Sequence, residues 1–430
     1  MSTKHTCLLE WNEVNFEFVR KYVEKYHLPN IKKLFERSVV TTESEKEYQN
    51  LEPWIQWVTS HTGKSFSEHG VFRLGDIINY QGDQFLEEIE EAGVTVGAIS
   101  PMNTKNNLNE PSYFIPDPWT DTNSDSSLLS KTLHQVLKQT VNDNSEGKIT
   151  KKSLLILLYI LATKTQVKNW PWYISLVLKS RKHKWAKALF LDLMLSDIHV
   201  HLFKKNRPGF SLLFLNSFAH LQHHYFINSE FYSGDLLNPN WYIDAETDPM
   251  RVGLQTYDRI IKDAAKLVGW ENFILMTGLS QNPVRKLVFY YRLRNHEKFL
   301  KMIGIDNAIV HPRMTRDFLI EFKNNDYVNV AREILENVTV NGDRVFEEIE
   351  ARNNSLFVTL TYSHEIIEDD VIDNTDIKLN ENVIFVALKN GEHSSVGYIS
   401  QDLSSRLVPK EFSDIKLSDF RGYLCSHLKT

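Results

Sequence analysis

Short apolar runs alternating with amphipathic helical stretches predict an α/β protein whose central sheet is mostly parallel. Four runs, at residues 7–11, 94–99, 211–215 and 273–277, are apolar almost throughout, as strands covered on both faces must be. Helical patterns lie between them: 84–92 feeds through Gly93 into the 94–99 run, and 249–268 separates the 211 and 273 runs. At 430 residues the chain exceeds the usual single core, so one large α/β domain carrying an insertion, or two domains, is expected.

After the first run and the polar turn Asn12-Glu13-Val14-Asn15, residues 16–26 have helical spacing, with Phe18, Val19 and Val23 on one side. Pro29-Asn30 breaks it, and a short helix starts at Ile31. Residues 51–63 read as a further helix, with Pro53 in its first turn and Gly63 as its C-terminal cap. From about 121 to 151 the composition turns to Asp, Asn, Ser and Thr, and 153–203 is helical and rich in Trp, Leu and Lys. The expected organisation is a first core part at 1–122, a helical cap insertion at 123–207, a second core part at 208–310, a small mixed region at 311–380, and late strands and a tail at 381–430.

Composition is that of an ordinary globular protein, with 42% hydrophobic and 24% charged residues. A formal charge of -6 gives no basic face for nucleic acid. Cys7 and Cys425 rule out a disulfide framework and suit a reducing compartment. The first residues lack a signal-peptide apolar region, and the longest apolar run, 154–162, is far short of the roughly 20 residues that span a bilayer. A cytoplasmic protein without a transmembrane segment is therefore expected. The apolar faces of the 153–200 helices are read as packed on the core, with a peripheral membrane contact as the alternative.

His220, His223 and His224 fall within five residues just past the 211–215 run. In open parallel sheets the ligand crevice lies at the carboxyl ends of the strands, which makes this cluster the first candidate for metal chemistry, or else a solvated group. Glu52, just before Pro53, reads as a cap at the positive end of its helix. Asn12, Gln281 and Arg292 stand at or after strand ends, where amide and guanidinium donors suit an anionic substrate.

Thr62-Gly63 followed by His69-Gly70-Val71, the Tyr257-Asp258 helix between the histidine run and the 273 run, and the trailing Gly391-Glu392-His393 occur in the order found in the alkaline phosphatase superfamily. The chain resembles a divergent member of that superfamily, which includes nucleotide pyrophosphatases, phosphodiesterases, sulfatases and phosphoglycerol transferases. The resemblance implies a three-layer sandwich and a two-metal site around a Ser, Thr or Cys nucleophile. Carried over, the first metal-binding aspartate falls on Asn12 or, with a small shift, Glu10; the nucleophile falls on Pro53, and the Asp-His pair on Leu279-Ser280. One metal position therefore looks dismantled. At the other, the aspartate falls on Ala219 with His220 beside it, while the histidines match His223 and His393. The resemblance thus implies a single site of His220, His223 and His393 for zinc or another divalent metal, with Glu52 as catalytic group near the lost nucleophile. Two functions follow from it: a hydrolase or transferase acting on a phosphoester or sulfoester of a saccharide or glycan-linked substrate, or an inactive descendant holding an anionic ligand or a protein partner.

Overall fold

In a computed structural model, residues 5–142, 150–306, 308–312, 316–404, 407–409 and 411–429 are described. The chain divides into two compact units, one formed by 1–283 with 391–430 and the other by 284–390.

The first unit is built on an eight-stranded sheet of β1 (Thr6–Trp11), β2 (Ser38–Glu43), β3 (Val96–Ile99), β4 (Tyr113–Ile115), β5 (Phe210–Leu215), β6 (Phe273–Met276), β7 (Val396–Gln401) and β8 (Asp414–Lys416), in the order β8-β2-β7-β6-β1-β5-β3-β4. β1 pairs in parallel with β5 and β6, and β3 with β4 and β5. β7 runs antiparallel to its neighbours β2 and β6. The four runs read from the sequence are thus adjacent parallel strands, the second of them shortened to start at Val96.

Alternation along the central strands divides the interior into two cores. Cys7, Leu9 and Trp11 of β1, Leu213 and Leu215 of β5, and Phe273 and Leu275 of β6 pack on one face, together with the helices Phe16–Lys25, Trp185–Asn206 and Pro249–Val268. Leu8, Leu212, Phe214, Ile274 and Met276 face the other side, against Trp57, Phe85 and Phe420 from the helices Pro53–Thr62, Phe85–Glu91 and Phe420–Leu428. Side chains that alternate about the strand plane, each set met by helices, make the three layers.

Among the described residues, 123–207 holds the helices Leu128–Asn142, Lys151–Lys164, Trp170–Ser180 and Trp185–Asn206 and no strand. Leu133, Leu137, Ile160, Tyr173 and Leu176 from the first three join the same core as the β1 residues. Cys7 and Cys425 are both buried and free.

The second unit contains a four-stranded antiparallel sheet, ordered Glu348–Arg352, Ser355–Thr359, Asp317–Glu321, Ile309–Pro312, and the helix Asn325–Glu336. It encloses the 311–380 stretch. The strand Val383–Ser394 contains Gly391-Glu392-His393.

Candidate metal centre

β1 lies between β5 and β6, and its hydrogen bonding continues past its end: Asn12 N donates to Leu215 O (3.1 Å) and Glu13 N to Thr277 O (3.0 Å). The chain therefore leaves the sheet at the carboxyl edge of three parallel strands. Glu13 has φ +60°, a left-handed conformation uncommon for a residue with a Cβ. Its carboxylate is buried and held from several sides. Asn12 Nδ2 donates to Oε1 (2.8 Å), Gln281 Nε2 donates to Oε2, and Gln222 Nε2 donates to the Glu13 carbonyl (2.6 Å). Asn12 is itself fixed by Trp57 Nε1, which donates to its Oδ1 (2.7 Å), and by Asn216 Oδ1, which accepts from its Nδ2 (2.7 Å).

Two histidines reach the same carboxylate oxygen. His223 is in the last turn of the helix Ser217–Tyr225, whose first turn is capped from outside: Asp192 Oδ2 accepts from Ser217 N (2.8 Å), and Tyr257 Oη donates to the same oxygen. His393 lies near the end of the strand Val383–Ser394, where Gly391 permits a close approach; a Cβ there would stand 2.2 Å from Gln281 Oε1 and 2.7 Å from Gln222 O. Nε2 of His223 lies 2.9 Å and Nε2 of His393 3.1 Å from Glu13 Oε2, and the two nitrogens are 3.4 Å apart. Ligand atoms 2.0–2.1 Å from one tetrahedral ion must lie about 3.3 Å from each other, so the triad fits a single divalent cation. Burial pushes the Glu13 carboxyl up, but the adjacent His223 and His393 together outweigh burial and hold it well below the usual range. The anionic ligand form is thus the favoured one. The Glu13 side chain is 2% exposed, whereas that of His223 is 29% exposed, which leaves the group open on one side.

Of the expected ligands, His223 and His393 come together and His220 does not. Past Leu215 the chain forms a helix rather than an open turn. His220 is accordingly exposed, its ring 5.5 Å from that of His224, and Glu13 takes the third place. Glu13 was legible only as the acidic residue of a polar turn one position beyond Asn12. Glu10, the alternative carboxylate, is buried elsewhere and pairs with His61 Nε2 at 2.8 Å. Glu52 caps no helix amide with its side chain, and its Oε2 lies 4.0 Å from His393 Nδ1. Asn12 and Gln281, read as substrate-binding, direct amide donors to Glu13. Arg292 belongs to the second unit.

Several motif residues serve packing instead. Pro53 opens its helix, and the hydroxyls behind it are engaged: Thr62 donates to Val58 O (2.7 Å), and Thr59 bonds His69 Nε2 (3.1 Å). Asp258 accepts from the backbone amides of Asn30 and Ile31 and so caps the helix Pro29–Phe35.

No protein-family model matches the sequence, and no curated protein matches it. Among solved structures, the chain is similar to phosphonoacetate hydrolase from Sinorhizobium meliloti in complex with phosphonoacetate, at 11% identity and TM-score 0.44, over 99% of this chain and 96% of that one. It is also similar to murine ectonucleotide pyrophosphatase/phosphodiesterase 5 in complex with AMP (11%, TM-score 0.44, 99% and 95% covered). A third similar structure is wild-type alkaline phosphatase PafA (12%, TM-score 0.45, 99% and 95% covered).

Proposed function

We propose that Glu13, His223 and His393 hold one divalent cation, zinc by ligand type, in a hydrolase or transferase acting on a phosphoester or sulfoester. The observation that carries this reading is the convergence of three ligand atoms within 2.9–3.4 Å at the carboxyl edge of the sheet. Two histidines and a glutamate are a ligand set of catalytic zinc that leaves a fourth position open. When bound, such an ion polarises a substrate oxygen and acidifies a water.

The chain's own residues do the rest. Glu13 supplies a fixed negative charge, and Asn12 and Gln281 orient it. Each histidine, in its neutral form, offers Nε2. Pro53 stands where the resemblance expects a nucleophile and has no nucleophilic atom, so a water or an acceptor alcohol is the attacking group. Glu52, beside His393 and partly exposed, takes its proton as the new oxygen bond to phosphorus or sulfur forms and the ester bond breaks, the leaving oxygen taking a proton from solvent and departing as an alcohol. The substrate class we infer from the superfamily resemblance is a saccharide or glycan-linked ester.

Pro53 and the engaged hydroxyls of its helix favour a second reading, an inert descendant that holds an anionic ligand or a protein partner. Zinc-supplemented assays on p-nitrophenyl phosphate, bis-p-nitrophenyl phosphate and p-nitrophenyl sulfate separate the two. Turnover lost in Glu52→Gln supports the enzyme; metal-loaded protein that turns over none of the three, yet binds phosphate, supports the inert descendant.

A further inference from the structure

The helices Lys151–Lys164 and Trp170–Ser180 are apolar on every side, although helices of that kind are normally enclosed. Here only one side is covered. Ile160 in the first and Tyr173 and Leu176 in the second are buried, and both helices pack on Trp185–Asn206. The opposite side of the first helix exposes Leu154, Leu155, Leu158 and Tyr159, at spacings that keep them on one face. The second exposes Trp170, Ile174, Val177 and Leu178 in the same way, with Ile174 61% exposed. A single exposed leucine is ordinary, but two consecutive helices with whole apolar faces in solvent mark a surface that is covered by something.

Charge indicates what covers it. Residues 151–187 contain nine lysines and arginines and no aspartate or glutamate, in a chain whose formal net charge is -6. Lys179, Arg181, Lys182, Lys184 and Lys187, at and after the end of the second helix, are exposed. A second copy of the chain would set this positive segment against itself, whereas an anionic surface complements it. Among the described residues no helix is long and apolar enough to cross a membrane. Short helices with Leu, Ile, Tyr and Trp on one side and a cluster of basic residues alongside have the chemistry of segments that lie in the headgroup region.

We propose that this helical pair docks the protein on an anionic lipid surface, its apolar faces among the acyl chains and its lysines at the headgroups. The test is flotation of the full chain with vesicles of phosphatidylcholine alone and of phosphatidylcholine mixed with phosphatidylglycerol, alongside light scattering to measure the oligomeric state. The expected result is binding to the mixed vesicles, weaker binding to the neutral ones, and a decline with added salt. Ile174→Asp should reduce binding about tenfold or more, because an apolar anchor becomes a charge on the buried face. The exposed pair Lys179→Glu and Lys182→Glu should reduce it as well, and gives the answer should Ile174→Asp unfold. Failure of the wild type to float with the mixed vesicles would overturn the proposal. So would undiminished flotation of the lysine variant, or a dimer that Ile174→Asp dissociates.

Discussion

His223 and His393, far apart in sequence, present their Nε2 atoms 3.4 Å from each other in front of one oxygen of Glu13. Three separate elements deliver this arrangement: the left-handed turn after β1, the last turn of Ser217–Tyr225, and the strand that Gly391 lets pass close to Gln281 and Gln222. Each can be disturbed independently of the ligands.

Gly391→Ala should displace His393 without removing any ligand. The added methyl meets a backbone carbonyl at 2.7 Å, which cannot swing aside as a side-chain end can. The cost is about 1–3 kcal/mol of stability, with a fall in zinc affinity of about tenfold or more, as this chain-positioning role resembles that of outer-shell groups. Urea denaturation and zinc titration measure the two effects.

Asn12→Asp restores the residue type that the resemblance expects but removes an amide donor. A second carboxylate would then face Glu13 Oε1 across what is now a 2.8 Å hydrogen bond. Chelator-treated variant should be destabilised by about 1–3 kcal/mol. Added zinc should recover more stability in the variant than in wild type, since a cation screens the new repulsion; equal recovery contradicts this.

Away from the site, His199 is fully buried with neither ring nitrogen hydrogen-bonded, and burial lowers its pKa to about 3. A folded-state value below the unfolded 6.5 means that stability is fully present above pH 6.5 and is lost as pH falls towards 3. His199→Leu should remove that dependence. Relative to wild type it should gain about 2 kcal/mol at pH 5, which is about 1.4 kcal/mol for each of the 1.5 pH units below 6.5. Thermal denaturation at pH 7 and pH 5 reads the difference.

The sheet was legible because strands covered on both faces are apolar throughout, and β1, β5 and β6 have such sequences. Two members of the triad, His223 and His393, were also legible, since they follow the order of the resemblance. Glu13 was not, because its place depends on a single left-handed residue, and a shift of one position along the turn from Asn12 changes where the carboxylate points. His220 was misplaced because a helix rather than an open turn follows β5, and in it the His220 ring lies 5.5 Å from that of His224. The exposed faces of the cap helices look in sequence like those of any buried apolar helix.

Zinc content after dialysis against the metal and then against buffer decides whether Glu13, His223 and His393 form a metal site. About one zinc per chain is expected. Glu13→Gln, His223→Ala and His393→Ala should lose the metal while remaining folded by circular dichroism, and His220→Ala should keep it. Equal zinc in wild type and in the His223→Ala/His393→Ala double variant, or loss in His220→Ala with retention in Glu13→Gln, would contradict the Glu13, His223 and His393 site.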